Sequence, residues 1–117
     1  MLRREWERLR NRCIWSWAGW RRAWAEEASL KFWTCMNIPS AALALYLPLT
    51  RSETMIILMG GVLILAAELL NTGIERVVDI ADSTRSDQAR DAKDMASAGV
   101  ALSAIAVGVA WVVVLVG

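Results

Sequence analysis

Charged and apolar residues are segregated along this chain. Residues 32–50, 55–67 and 98–116 carry no charge at all. A helix crosses a bilayer core with about 17–25 mostly apolar residues. The last stretch lacks the polar stripe that a helix of a water-soluble bundle would show. The pattern predicts three membrane spans, over residues 31–49, 54–81 and 91–116. The second is longer than a bilayer requires, so its C-terminal turns should emerge at the surface. Pro39 removes a backbone donor within the first span, and a kink is expected there. A tight turn over residues 49–54, after Pro48, makes spans one and two antiparallel neighbours. Residues 82–90 read as a polar connector, with Asp91 capping the third span.

Residues 1–27 have a different pattern. Trp6, Trp15, Trp17, Trp20 and Trp24 alternate with Arg8, Arg10, Arg12, Arg21 and Arg22. Indole rings lie at the bilayer boundary and arginines meet lipid phosphates, so this segment reads as an amphipathic surface helix. A nucleic-acid partner is not expected, because three spans follow the basic segment. A cleavable signal is not expected either, since no apolar core and small-residue cleavage site follow the basic stretch. The fold class implied is an all-α membrane protein: one surface helix and three spans in a single domain of 117 residues.

Charge adds orientation. The net charge is only +1, but residues 1–31 hold seven arginines and a lysine, and Arg76, Arg85, Arg90 and Lys93 surround the second connector. The turn after the first span holds only Arg51. Positive loops stay cytoplasmic. The expected topology in a bacterial cytoplasmic membrane is N-terminus inside and C-terminus outside. Small residues from Ala96 to Gly108 would let helices approach closely. The polar groups need more shelter than three helices give, so an oligomer is expected. Cys13 and Cys35 read as free thiols, because the chain has no His and no close Cys pair to make a zinc site.

Candidate chemistry lies where the second span turns polar. Glu68, Asn71, Thr72, Glu75 and Asp79 follow at helical spacing and share one face. An ionisable residue at membrane depth is costly and marks a functional candidate. Interhelical hydrogen bonding is the structural alternative. Lys93 and Asp94 begin the third span at the depth of Glu75, and Glu26, Glu27 and Lys31 begin the first. Each of these two clusters alone could be no more than a solvated helix start. Together they bring carboxylates, an amide oxygen and lysines to one level. Hard oxygen donors suit Mg2+, which takes few carboxylates and completes its shell with phosphates and water. A further carboxylate near the interface could accept a proton from a lipid hydroxyl. The sum is phosphoryl transfer from ATP. No glycine-rich phosphate loop of the usual kinds is present, so any ATP site must be built differently.

The stretches WRRAWAEEAS, AELLNTGIERVVD and ARDAKDMASAGVA resemble the prokaryotic diacylglycerol kinase family, and the resemblance runs from about Arg8 to Trp111. It implies a homotrimer with active sites between protomers at the cytoplasmic face. It implies Glu68 as general base, Glu27 and Glu75 as the metal pair, and Asn71 and Asp79 in support. Arg8, Trp15, Lys93 and Asp94 match nucleotide-contacting positions, together with Glu27 and Glu75. Ser97, Trp111 and Lys31 match the lipid side. Lys31 stands where the family often has Arg, and Trp33 where it often has Glu. The implied reaction is ATP- and Mg2+-dependent phosphorylation of diacylglycerol to phosphatidic acid. An undecaprenol kinase is the alternative in the same chemistry, and a non-catalytic oligomeric scaffold is the alternative in another class.

Overall fold

A computed structural model describes residues 1–117 as four α-helices and no strand. Helix α1 spans Leu2–Glu26, α2 Ala28–Tyr46, α3 Arg51–Ala81 and α4 Asp87–Val116. Surface ion pairs between neighbouring turns, Arg3 with Glu7 (3.7 Å) and Arg8 with Glu5 (3.2 Å), line α1. Ala23 is the only buried residue of α1, so its N-terminal turns stand free of the other helices. A single extended residue, Glu27 (φ −112°, ψ 109°), breaks α1 from α2. Thus α2 starts at Ala28 and ends at Tyr46, three residues earlier at each end than the span expected at 31–49.

Helix α3 starts with a capping box. The Thr50 hydroxyl accepts from the Glu53 N–H (3.2 Å), and the Glu53 carboxylate accepts from the Thr50 N–H (2.8 Å). At about 1.5 Å per residue its 31 residues reach roughly 46 Å, well beyond a hydrocarbon core of about 30 Å. α3 is the central helix, with α2 and α4 each packed along it. Its buried positions, Ile57, Gly61, Ile64, Glu68 and Asn71, are spaced four, three, four and three apart and form one seam. At Gly61 the seam is held by an amide hydrogen bond from Asn37 to the Gly61 carbonyl (3.2 Å). A Cβ on Gly61 would collide with the Asn37 side chain, and one on Gly60 with Val107 of α4. The close α3–α4 approach is therefore made by a glycine of α3. Gly99 and Gly108 of α4 have open space where a Cβ would lie, so these two glycines face away from this protomer's core.

The connector is shorter than the sequence suggests. Asp87 to Arg90 are helical, and Ser86, not Asp91, is the N-cap of α4, its hydroxyl accepting from the Ala89 N–H (3.2 Å). Polar residues favour the first turn of a helix as readily as a loop, so their polarity alone misplaced the start by four residues. Asp82 organises the five remaining residues. It accepts from the Thr84 N–H (3.0 Å) and from the hydroxyls of Thr84 and Ser86. These bonds, Ser86 first and then Thr84, hold the Asp82 carboxyl below its ordinary value. Arg85 takes the left-handed conformation (φ 59°) needed to turn the chain into α4.

Only 11 of 117 residues are buried, while Val62, Leu70, Leu102 and Leu115 are each about two-thirds exposed. A surface this apolar belongs in an apolar phase. α3 and α4 are long and apolar enough to cross a membrane. Nineteen-residue α2, interrupted by Lys31, Asn37, Pro39 and Ser40, has no stretch as long and apolar as those of α3 and α4. Cys13 and Cys35 are free and exposed.

Candidate active site

The site begins where the α3 seam changes from apolar to polar. Glu68 is buried directly after Ile64, one turn on, and Asn71 and Thr72 are buried beside it. Glu75 is half-buried, and Asp79, a turn further, is exposed. The Asn71 amide nitrogen donates to a Glu75 carboxylate oxygen (3.3 Å). The Asn71 amide oxygen is buried without a partner. A buried acceptor left unpaired costs about 1–3 kcal/mol, so its retention asks for a use. Glu68 has no ion-pair partner, and the charges close enough to act on it are those of Glu75 and Glu27, both negative.

The other two helices reach this level from either side. The break between α1 and α2 delivers Glu27, whose side chain is about one-third exposed. From α3, Arg76 hydrogen-bonds Glu26 and stands 3.8 Å from Glu27. α4 delivers Lys93, ion-paired to Asp79 of α3, which fastens the start of α4 to the end of α3. A groove of about 400 Å³ between α1 and α3, lined by Ser16, Trp20, Arg22, Thr72 and Arg76, opens beside these groups.

The remaining candidates are less concentrated. Asp94 and Ser97 are exposed on α4. Arg8 is exposed and paired with Glu5, and Trp15 is exposed on α1. Lys31 lies over the Trp24 ring, 6.0 Å from its centroid. Half-buried Trp111 donates its indole N–H to the Ser40 hydroxyl (2.9 Å), bridging α4 to α2. Sequence reasoning passed over Arg76 and Ser40. Arg76 could have been noticed as a lone cation inside a run of carboxylates. Ser40 lies 71 residues from its partner, and no local pattern connects them.

A divalent cation fits the donor set in a limited way. No cluster of three or more carboxylate, cysteine or histidine groups converges within the protomer. The orphaned Asn71 oxygen and the Glu75 and Glu27 carboxylates are hard oxygen donors. Mg2+ takes one or two carboxylates and draws the rest of its shell from phosphates and water, which this set allows.

The arrangement defines a class: a helical protein of membrane-spanning length and composition, with a carboxylate–amide face at one end of its central helix. The family described as prokaryotic diacylglycerol kinase matches residues 14–115. Diacylglycerol kinase of Pseudomonas aeruginosa is 31% identical over 111 residues, covering 95% of this chain and 90% of its own. Those of Escherichia coli K12 and Haemophilus influenzae are 30% identical over 100 residues and 32% over 106. They cover 86% and 88% of this chain, and 82% and 87% of their own lengths. The chain belongs to the prokaryotic diacylglycerol kinase family.

Proposed function

We propose that this protein is an integral membrane lipid kinase that transfers the γ-phosphoryl group of ATP to the hydroxyl of diacylglycerol, giving phosphatidic acid. The observation that carries the reading is buried, unpaired Glu68, one turn from an orphaned Asn71 oxygen on a helix of membrane-spanning length. Family membership supports the same reaction. The reading includes α2 as a third span, a homotrimer, and a cytoplasmic N-terminus in the bacterial inner membrane, with the C-terminus outside.

In this mechanism the lipid enters sideways, chains in the bilayer and hydroxyl at the level of Glu68. Glu68 takes the hydroxyl proton as that oxygen attacks the γ-phosphorus. The bond from the γ-phosphorus to the β,γ-bridging oxygen breaks and ADP leaves. Glu27 and Glu75, with Asn71, would hold Mg2+, which when bound neutralises phosphate charge. Lys93, aimed by Asp79, supplies a compact positive charge to the phosphates. Asp94, Arg8 and Trp15 complete the nucleotide side. Ser97, Trp111 and Lys31 face the lipid, with the Trp111 ring steadied by Ser40.

The test is incorporation of labelled γ-phosphate from Mg-ATP into diacylglycerol in mixed micelles, beside an undecaprenol control. Phosphatidic acid supports the reading. Product with undecaprenol alone keeps the mechanism and replaces the substrate. No product with either lipid, from folded oligomer, leaves the non-catalytic scaffold.

A further inference from the structure

Two adjacent carboxylates, Glu26 at the end of α1 and Glu27 in the break that follows it, are met by one guanidinium from α3. The setting is strongly negative. A helix C-terminus carries about half a negative charge, and α1 has no basic residue in its last turn to offset it. Arg76 is the only cation within ion-pair reach of either group. It does not divide itself evenly. It donates a hydrogen bond to Glu26 but lies 3.8 Å from Glu27, beyond hydrogen-bonding distance. Glu27 therefore keeps its oxygens free, although it lies beside an arginine able to grip a carboxylate in two places.

We infer that Glu26 is a positioning residue that engages Arg76 and so leaves Glu27 available to a divalent cation. The inference rests on the kinase reading, in which Glu27 and Glu75 hold the metal, and it gives two residues outside that set a role in it. Glu26 touches no substrate and acts only through Arg76. Without the Glu26 charge, the guanidinium swings the short remaining distance to Glu27 and competes with the cation. Without both charges, no competitor remains. The geometry thus predicts a specific non-additivity: Glu26→Gln weakens metal binding, and adding Arg76→Gln relieves it. A simple scaffold role for the ion pair predicts the opposite, since each loss would add to the other.

The direct readout is Mn2+ binding to the full-length protein in detergent, followed by electron paramagnetic resonance with a non-hydrolysable ATP analogue present. For a partly exposed pair, Glu26→Gln should raise the Mn2+ dissociation constant about three- to fivefold. Glu26→Asp should stay near wild type. The double variant E26Q/R76Q should return to within about twofold of wild type. The Mg2+ concentration for half-maximal lipid phosphorylation should move in parallel, with kcat at saturating Mg2+ unchanged. Wild-type affinity in Glu26→Gln, or a double variant as weak as the single one, overturns the inference and leaves the kinase reading intact. A wild-type protein that phosphorylates no lipid overturns the kinase reading itself.

Discussion

The two halves of the α3 seam share a geometry and differ in chemistry. Ile57, Gly61 and Ile64 fill one half, and Glu68, Asn71 and half-buried Glu75 continue it at the same alternation of four and three residues. The first half is what a packed helix pair requires: branched side chains, a glycine that admits a neighbour, and one amide hydrogen bond from Asn37. The second places a carboxylate and an orphaned amide oxygen where Leu or Ile would pack better. Removing polar groups from such a position is commonly neutral or stabilising. A seam that stays polar at a cost in stability marks a working site.

The largest effect should come from making the second half resemble the first. Asn71→Leu should abolish lipid phosphorylation while raising thermal stability, by roughly 1–4 kcal/mol if the site behaves like other buried polar replacements. Activity assays and unfolding of the oligomer in detergent read the two halves of that statement separately. Loss of both activity and stability would mean that Asn71 serves packing. The reciprocal change is Gly61→Val in the apolar half. Its side chain meets Asn37, and the expected cost is about 1–3 kcal/mol. The protein that remains folded should keep normal turnover per active site.

Smaller effects sharpen the contrast. Ser40→Ala frees the Trp111 indole and should cost about 0.6 kcal/mol, the typical value of a hydrogen bond between membrane helices. If Trp111 faces the lipid, KM for diacylglycerol should rise more than kcat falls. The smallest effect concerns the connector. Asp82 titrates below its ordinary value, so the stability it confers is complete above about pH 4. That contribution is lost as pH falls through the depressed value. Asp82→Asn should lower stability slightly at neutral pH and flatten the acid limb of the curve, the difference from wild type vanishing once pH falls below the depressed value.

What could be read from the chain alone follows the range of each interaction. The Glu68–Asn71–Glu75 face follows from helical spacing and needs no tertiary knowledge. The burial of Glu68, and the unpaired Asn71 oxygen, depend on neighbouring helices and emerge only in three dimensions. The composition of Asp87 to Arg90 reads as a loop and places the start of α4 four residues late, whereas Ser86 and Asp82 supply the hydroxyl–carboxylate network that starts the helix at Asp87. The sequence marks the small residues of α4 as a place where helices can approach closely, yet within the protomer Gly99 and Gly108 face open space and the close approach is at Gly60 and Gly61 of α3. Those two glycines sit in an apolar run where nothing local distinguishes a contact from a filler. Arg76 reads in the sequence only as one positive charge of the second connector, because its partners lie 49 and 50 residues away across the α1–α2 break.

The most direct test of the central claim compares wild type with Glu68→Gln for transfer of labelled γ-phosphate from Mg-ATP to diacylglycerol, both proteins being equally helical and equally assembled. Glutamine keeps the shape and removes the base. The account predicts robust transfer by the wild type and a fall in kcat of about 10²–10⁴-fold in the variant. Near-normal turnover by Glu68→Gln would contradict it, and would return the buried carboxylate to the seam as a structural residue.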